Sequence, residues 1–360
     1  MFQLFCFRTG WLPQVGARLG GRSGGALLPL LLVPAMAAST PVVPPSPALT
    51  RTAQLRSTPG QGEIVLGQSA PFSGPSAQLG QDYRDGAMAW FNEVNRRGGI
   101  HGRRLRLVSL DDRYEPSLTE KNTRQLIDGH RALVLFGFVG TPTVKAILPM
   151  VDQAQIPLVA PLTGARLLRQ PFRPMVFNLR ASYQAEVDQM VNALVRDGRH
   201  RIAVLHQEDA FGEDGLQATR SALARHGLKP VAIAGVQRNS TATEAAAWQV
   251  KQADPSAVVI ISAYSSSAAF SRHLHNLGST AQLMNVSFVG TGPLQDALPG
   301  GQASGIGVSQ VVPFPWDRQV PVVADYQRLM QHFRLKLGPK DHQASDFVDL
   351  TFLGAQRWGP

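Results

Sequence analysis

The sequence predicts an α/β protein of two Rossmann-like lobes with parallel sheets, joined by a hinge. Three observations predict it. From about Glu63 onward, short apolar runs of strand length alternate with segments of helical period, the pattern of parallel strands covered on both faces. The 360 residues, 44% apolar and 17% charged, are more than one ordinary core needs and point to two domains. Around Asn178 to Ser182 a strand-like segment gives way to a helix and a second run of the same alternation, which reads as a crossover between lobes.

The N-terminus comes first. An apolar run from Ala26 to Ala38 follows Arg8, Arg18 and Arg22 with no acidic residue among them, the order of a secretory signal. The run is too short to span a bilayer. Ala35-Met36-Ala37 supplies a small-x-small cleavage pattern, so residues 1–37 are expected to be a signal peptide and the mature chain to be periplasmic. The one cysteine, Cys6, would leave with that segment, and with it any disulfide, cysteine-based zinc site or cysteine lipid anchor. Residues 38–61, rich in Pro, Ser and Thr, are expected to form a flexible leader.

The strands expected after it are Ile64 to Leu66, Leu105 to Ser109, Ala132 to Phe136, Pro157 to Ala160, Ile202 to His206, Val231 to Ala234, Ala257 to Ile261 and Ser287 to Val289, each a short apolar run bounded by turn residues. Helices fall between them. The first, Gln78 to Arg97, places Tyr83, Ala87, Trp90, Phe91 and Val94 on one face and stops at Gly98-Gly99. Later ones cover roughly 118–128, 143–154, 183–196, 212–226, 243–252 and 266–277.

Three strand ends suit a small ligand, because open α/β sheets bind where loops leave the carboxyl ends of their strands. In Gly137-Phe138-Val139-Gly140-Thr141-Pro142-Thr143, Thr141 is expected at the N-cap and Pro142 at the first helical position, so two hydroxyls and backbone N–H groups converge on a positive helix end. An ordinary capped helix explains the same residues. The Pro161-Leu162-Thr163-Gly164-Ala165 turn offers further backbone donors, although Pro and Gly between elements are also what any turn requires. In the second half, Phe211 and Tyr264 follow strand ends and are placed to close over a ligand as a lid; each also reads as a simple loop aromatic.

Other chemistries find little support. The formal charge is +10, or +7 without the three signal arginines, but Lys and Arg are scattered and no basic stretch interleaves with aromatics, so nucleic acid is not expected as a partner. There is no phosphate-binding G-x-x-x-x-G-K-S/T and no H-E-x-x-H, and the one G-x-S-x-G, at Gly21 to Gly25, lies in the expected signal. His273 and His275, two apart on a helix, point to different faces. Asp111-Asp112 could serve as a metal or acid/base pair, yet carboxylates at a strand end more often cap loops. No enzyme activity, metal or cofactor is expected.

One resemblance adds to these readings. Ser73-Gly74-Pro75 with Gly80, Gly86-Ala87 through Phe91-Asn92-Glu93-Val94-Asn95, Gly98-Gly99-Ile100, and Leu110-Asp111-Asp112 with Tyr114 and Pro116 resemble the N-terminal lobe of periplasmic leucine/isoleucine/valine-binding proteins. The resemblance continues through 137–143, 161–165, the crossover Asn178 to Tyr183, and Gly307 to Pro313, covering about 62–335. It implies the type I periplasmic binding fold of ABC transporter receptors, whose lobes close over a ligand and dock on permease subunits. It also implies that Thr141, Thr143 and Thr163 to Ala165 hold a ligand carboxylate, that Phe211 and Tyr264 match lid tyrosines, that Leu79 lines the pocket, and that Tyr183 belongs to the binding crossover.

Two departures qualify the resemblance. The acidic residue that meets a ligand ammonium is replaced near Gly292, leaving Asp209 or Glu186 as substitutes. Residues 341–360 read as atypical, so the C-terminal part is expected to be incomplete. The expected domains are 62–178 with 311–340 as lobe 1 and 179–310 as lobe 2. The expected function is a monomeric receptor for an amino acid, amide or small carboxylate, serving an ABC importer; the alternative is a periplasmic ligand sensor of the same fold.

Overall fold

A computed structural model describes residues 62–333 and the strand Gln3–Cys6. The rest of the expected signal and leader, and the 341–360 stretch, lie outside the described residues.

In the first sheet, β2 (Glu63–Ala70) is central, flanked by β3 (Arg104–Asp111) on one side and by β4 (Val134–Phe136), β5 (Leu158–Val159) and β6 (Val176–Phe177) on the other, all parallel; β1 is the N-terminal Gln3–Cys6. The helices on its faces are α1 (Ala77–Arg96), α2 (Pro116–Arg124), which runs on as a π turn over Gln125–Gly129, and α3 (Thr141–Ala154). Successive strand residues point to opposite faces, and both faces are buried. Val134 and Phe136 therefore pack with Ala87 and Phe91 of α1, whereas Leu135 packs with Ile147 and Val151 of α3. That double burial is why these strands read as apolar runs in the sequence.

The second sheet repeats the logic with β7 (Ile202–Gln207), β8 (Ile233–Val236), β9 (Ala257–Ile261), β10 (Gln282–Asn285) and β11 (Gly307–Gln310), in the order β8-β7-β9-β10-β11-β1. All are parallel except β1, which pairs antiparallel with β11. The covering helices are α4 (Tyr183–Arg196), α5 (Ala210–Ala224), α6 (Glu244–Gln252), α7 (Tyr264–Asn276) and the short α8 (Thr291–Asp296). In β9, Val258 and Ile260 face one cluster and Val259 and Ile261 the other. After β11 the chain forms α9 (Pro321–His332), whose Tyr326, Leu329 and Met330 pack on Ala89 and Trp90 of α1, back in the first lobe.

One expected strand is corrected. Ser287 to Val289 is a 3-10 turn, and the strand lies just before it at Gln282–Asn285. The reason is local: the polar ends of β10 are answered inside the protein, Gln282 donating to the Gly305 carbonyl at 2.5 Å and Asn285 accepting from the Ser267 hydroxyl at 2.6 Å, while Phe288 turns out of the sheet into an aromatic cluster.

Both sheets belong to one compact unit of the chain. A single apolar cluster joins the lobes, with Leu79, Tyr114, Val139 and Leu162 from the first and Phe211 and Phe288 from the second.

Candidate functional site

Two loops leave the carboxyl ends of β4 and β5 and are laced together. The Gly140 N–H donates to the Leu162 carbonyl at 3.1 Å, and the Leu162 N–H to the Phe138 carbonyl at 2.7 Å. Gly140 is the N-cap of α3, one residue earlier than the sequence suggested, so Thr141 and Pro142 occupy the first two helical positions. The cap falls there because Gly140 has φ +96° and lies where an added Cβ would come within 2.1 Å of the Tyr114 ring. Only glycine meets both conditions.

The Thr141 and Thr163 hydroxyls meet at 2.6 Å, and both residues are buried. Thr163 also accepts from the Ala165 N–H at 3.1 Å, and the Gly164 carbonyl accepts from the Tyr183 N–H at 3.0 Å. The structure thus brings Thr141, Thr163, Gly164, Ala165 and Tyr183 together. Pro142 is buried beside them in the first turn of α3. Thr143 is turned away: its hydroxyl donates to the carbonyls of Val139 and Gly140, closing the helix start. Behind the seat, Arg169 donates to the Ala165 carbonyl at 3.0 Å and to the Arg180 carbonyl at 2.8 Å, tying the turn to the crossover.

From this seat an aromatic wall crosses to the second lobe. The Tyr183 ring lies 5.2 Å from Phe211, Phe211 lies 4.7 Å from Phe288, and Phe288 lies 6.0 Å from Tyr114. Leu79, near the start of α1, is fully buried in the same cluster. Tyr264, the first residue of α7, is partly buried against it, with its hydroxyl beside the backbone of Gln78 in the first lobe. The Tyr183 hydroxyl faces Thr163 but completes no hydrogen bond of good geometry, and the side-chain oxygen of the buried Gln207 is likewise unpartnered.

Both candidate substitutes for an ammonium partner are already engaged. Glu186 forms a buried ion pair with Arg180 and accepts from the Ser287 N–H at 2.9 Å and the Ser309 hydroxyl at 2.8 Å. Asp209 caps α5 through the N–H groups of Phe211 and Gly212, and its other oxygen takes Gln207 at 2.6 Å and Arg238 at 3.3 Å. Asp111 and Asp112 serve their own loops. Asp111 accepts from the Phe72 N–H at 2.8 Å and from Ser73. Asp112 accepts from Ser69 at 2.8 Å, Tyr114 N–H at 2.9 Å and Thr119 at 3.1 Å, while burial pushes its carboxyl up to about 6.

Four residues that the sequence did not single out complete the arrangement. Arg238, just after β8, donates to Glu115 at 2.8 Å across the cleft; Asn239 donates to the same carboxylate at 2.9 Å and to the Arg113 carbonyl at 3.1 Å. Ser76 donates to Asn239 at 3.2 Å. Gln207 reaches the Tyr114 hydroxyl at 3.4 Å. The strand-end rule that flagged Thr141 would also have flagged residues 237–239. Elsewhere along the cleft rim the Arg166 N–H donates to Asp214 at 3.1 Å, and beyond it a groove of about 810 Å³, lined in part by Lys145, Gly164, Arg169 and Asp214, opens beside the seat.

Comparisons with known proteins agree with this architecture. The chain is 27% identical over 251 residues to an amino acid binding protein of Pseudomonas aeruginosa and 27% identical over 229 residues to a Leu/Ile/Val-binding protein homolog of Brucella melitensis. These matches take in 68% and 62% of this chain and span 66% and 60% of the length of those relatives. Among solved structures, one described as a possible leucine/isoleucine/valine-binding protein from Rhodopirellula baltica is 32% identical with TM-score 0.76, over 83% of this chain and 80% of that one. A substrate-binding periplasmic protein from Ralstonia solanacearum is also 32% identical, with TM-score 0.74 over 83% and 85%. The family model for periplasmic binding protein matches residues 63–355, taking in most of the 341–360 stretch that reads as atypical in the sequence. With two parallel-sheet lobes, strand-end loops facing one another and these relatives, the chain belongs to the periplasmic binding protein family, and its fold is the type I periplasmic binding fold.

Proposed function

We propose that the protein is the extracytoplasmic solute-binding receptor of an ABC importer, taking a small carboxylate, amino acid or amide between its two lobes and catalysing nothing. The observation that carries this reading is the buried Thr141–Thr163 hydroxyl pair at two strand ends, met by an aromatic wall from the opposite lobe. Hydroxyls and backbone N–H groups at the start of a helix suit a carboxylate or amide oxygen, and rings suit an apolar body. The names of the relatives, which speak of amino acid and Leu/Ile/Val binding, support a ligand of that size. A non-catalytic reading accords with Asp112, Asp209 and Glu186 being committed to a loop, a helix cap and an ion pair.

In this proposal residues 1–37 direct export to the periplasm, so that β1 pairs with β11 only before their removal, and 38–61 are a leader. Lobe 1 is 62–178 with 311–340, lobe 2 is 179–310, and the receptor works as a monomer that presents its closed form to permease subunits. The contacts of Thr143 give it a structural part in the seat, with Thr141 and Thr163 to Ala165 in direct contact with the ligand and Leu79, Tyr183, Phe211 and Tyr264 around its body.

A thermal-shift screen of the purified protein against amino acids, amides and small carboxylates tests the reading. A ligand present at a hundred times its Kd stabilises by about 2.7 kcal/mol, so the right compound raises Tm by several degrees. A folded sample unmoved by every compound in the three classes would overturn it.

A further inference from the structure

We propose that Gln207 decides which ligands the cleft accepts: its buried side-chain oxygen reads a hydrogen-bond donor, an O–H or N–H, on the ligand carbon next to the carboxylate. This rests on the receptor reading above and adds to it a residue and a rule of selection.

The direction of that oxygen is fixed by its neighbours. Gln207 is the last residue of β7 and is fully buried. Its amide nitrogen lies 2.6 Å from an Asp209 carboxylate oxygen and 3.4 Å from the Tyr114 hydroxyl. A carboxylate only accepts, so the nitrogen faces Asp209 and Oε1 is turned away from it. Asp209 is itself held, with one oxygen capping α5 and the other 3.3 Å from Arg238. Oε1 has no hydrogen-bond partner among the described residues. A buried acceptor left unpaired is costly, and a ligand donor satisfies it. The pull of Asp209 on the amide N–H also polarises the group and strengthens Oε1 as an acceptor.

The place of this acceptor ties it to the seat. The Tyr114 ring packs over Gly140, the N-cap of α3 and the residue before Thr141. A Cβ added at Gly140 would stand 3.0 Å from the ring carbon that bears the hydroxyl. Gln207 meets that same hydroxyl from the second lobe. The amide is therefore close to the first atoms of a ligand whose carboxylate rests on Thr141 and Thr163. A neutral oxygen asks for a donor and not for a charge, so a hydroxyl or an ammonium on the adjoining carbon satisfies it. A carbonyl on that carbon brings only lone pairs, and oxygen then faces oxygen. A carboxylate in the place of Gln207 would select differently, favouring the ammonium over the hydroxyl.

Calorimetric titration of the full chain with two series tests this: the 2-amino, 2-hydroxy and 2-oxo forms of 4-methylpentanoate, and the same three forms of 3-phenylpropanoate. In whichever series binds, the amino or the hydroxy acid is expected to bind at least about tenfold more tightly than the oxo acid. An oxo acid that binds as tightly as both overturns the proposal while leaving the receptor reading intact. In Gln207→Met the preference is expected to shrink to within about threefold, since the acceptor is gone; a folded variant that keeps the native preference overturns the proposal. Asp209→Asn retains an N-cap oxygen but turns an N–H toward the amide, so Gln207 is expected to flip, present its nitrogen to the ligand and narrow or reverse the preference. An unchanged preference there also overturns the proposal, and this variant decides if Gln207→Met does not fold. If neither series binds and the broader screen yields a ligand, that ligand decides: one bearing an O–H or N–H and weakened about tenfold or more by these substitutions supports the proposal, and one without a donor, or weakened less, overturns it. Silence across the whole screen overturns the receptor reading and this one with it.

Discussion

Asp112 shows how one buried side chain holds a loop at the cleft and what that costs. Its carboxyl accepts from Ser69, Thr119 and the Tyr114 N–H, fixing the loop that carries Tyr114 into the cleft. Desolvation outweighs those bonds and lifts its pKa from 3.8 to about 6. Between those values the folded protein keeps a proton that the unfolded chain has lost, so this group favours folding most below pH 4 and its contribution falls as pH rises to 6, by about 3 kcal/mol at most. Urea unfolding at pH 4 and pH 6 is expected to show that decline in the native protein and a flatter dependence in Asp112→Asn. Equal slopes in the two would contradict the assignment. The residue stood out in the sequence as half of an acidic pair, but its partners come from a neighbouring strand and a helix start, contacts that a one-dimensional reading cannot see.

At the scale of elements, the β8–α6 loop meets the β3–α2 loop across the mouth of the cleft through Arg238, Asn239 and Glu115. The Arg238–Glu115 pair is partly exposed, 22% and 40%, so solvent screens it and it adds little to stability. In the proposed receptor its leverage is on the ligand-closed form, which bonds across the mouth help to hold. Glu115→Gln is expected to leave the urea midpoint nearly unchanged but to speed ligand dissociation roughly three- to tenfold, in line with interface changes acting mostly on the off-rate. Surface plasmon resonance at low and high salt checks this; a wild-type off-rate would contradict it.

The same elements mark what was legible. Doubly buried strands such as Ala257–Ile261 announce themselves as apolar runs, and Gly140 and Gly164 punctuate the two seat loops. By contrast β10 is hidden in the sequence, since its Gln282 and Asn285 are polar and find buried partners, and Phe288 reads as a strand residue because a buried ring in a turn has the same composition. The Arg238–Glu115 pair joins residues 123 positions apart, a distance over which no local pattern speaks.

For the whole molecule, the crossover between lobes is held by the buried Arg180–Glu186 pair, with Ser287 and Ser309 completing its bonds. Removing one partner strands the other charge, so Glu186→Gln is expected to destabilise by about 3–5 kcal/mol. The double change Arg180→Met with Glu186→Leu should lose less than the single one, and urea unfolding that found the losses additive would contradict a charge-pairing role. In the proposed receptor the first lobe supplies the polar seat and the second most of the aromatic wall. Calorimetric titration of the native protein and Thr141→Val, using the strongest ligand from the thermal screen, tests that claim most directly. One site per chain and about tenfold weaker binding in the variant are expected, the equivalent of one hydrogen bond to a charged group, with its fold intact. Saturable binding that Thr141→Val leaves unchanged would contradict it.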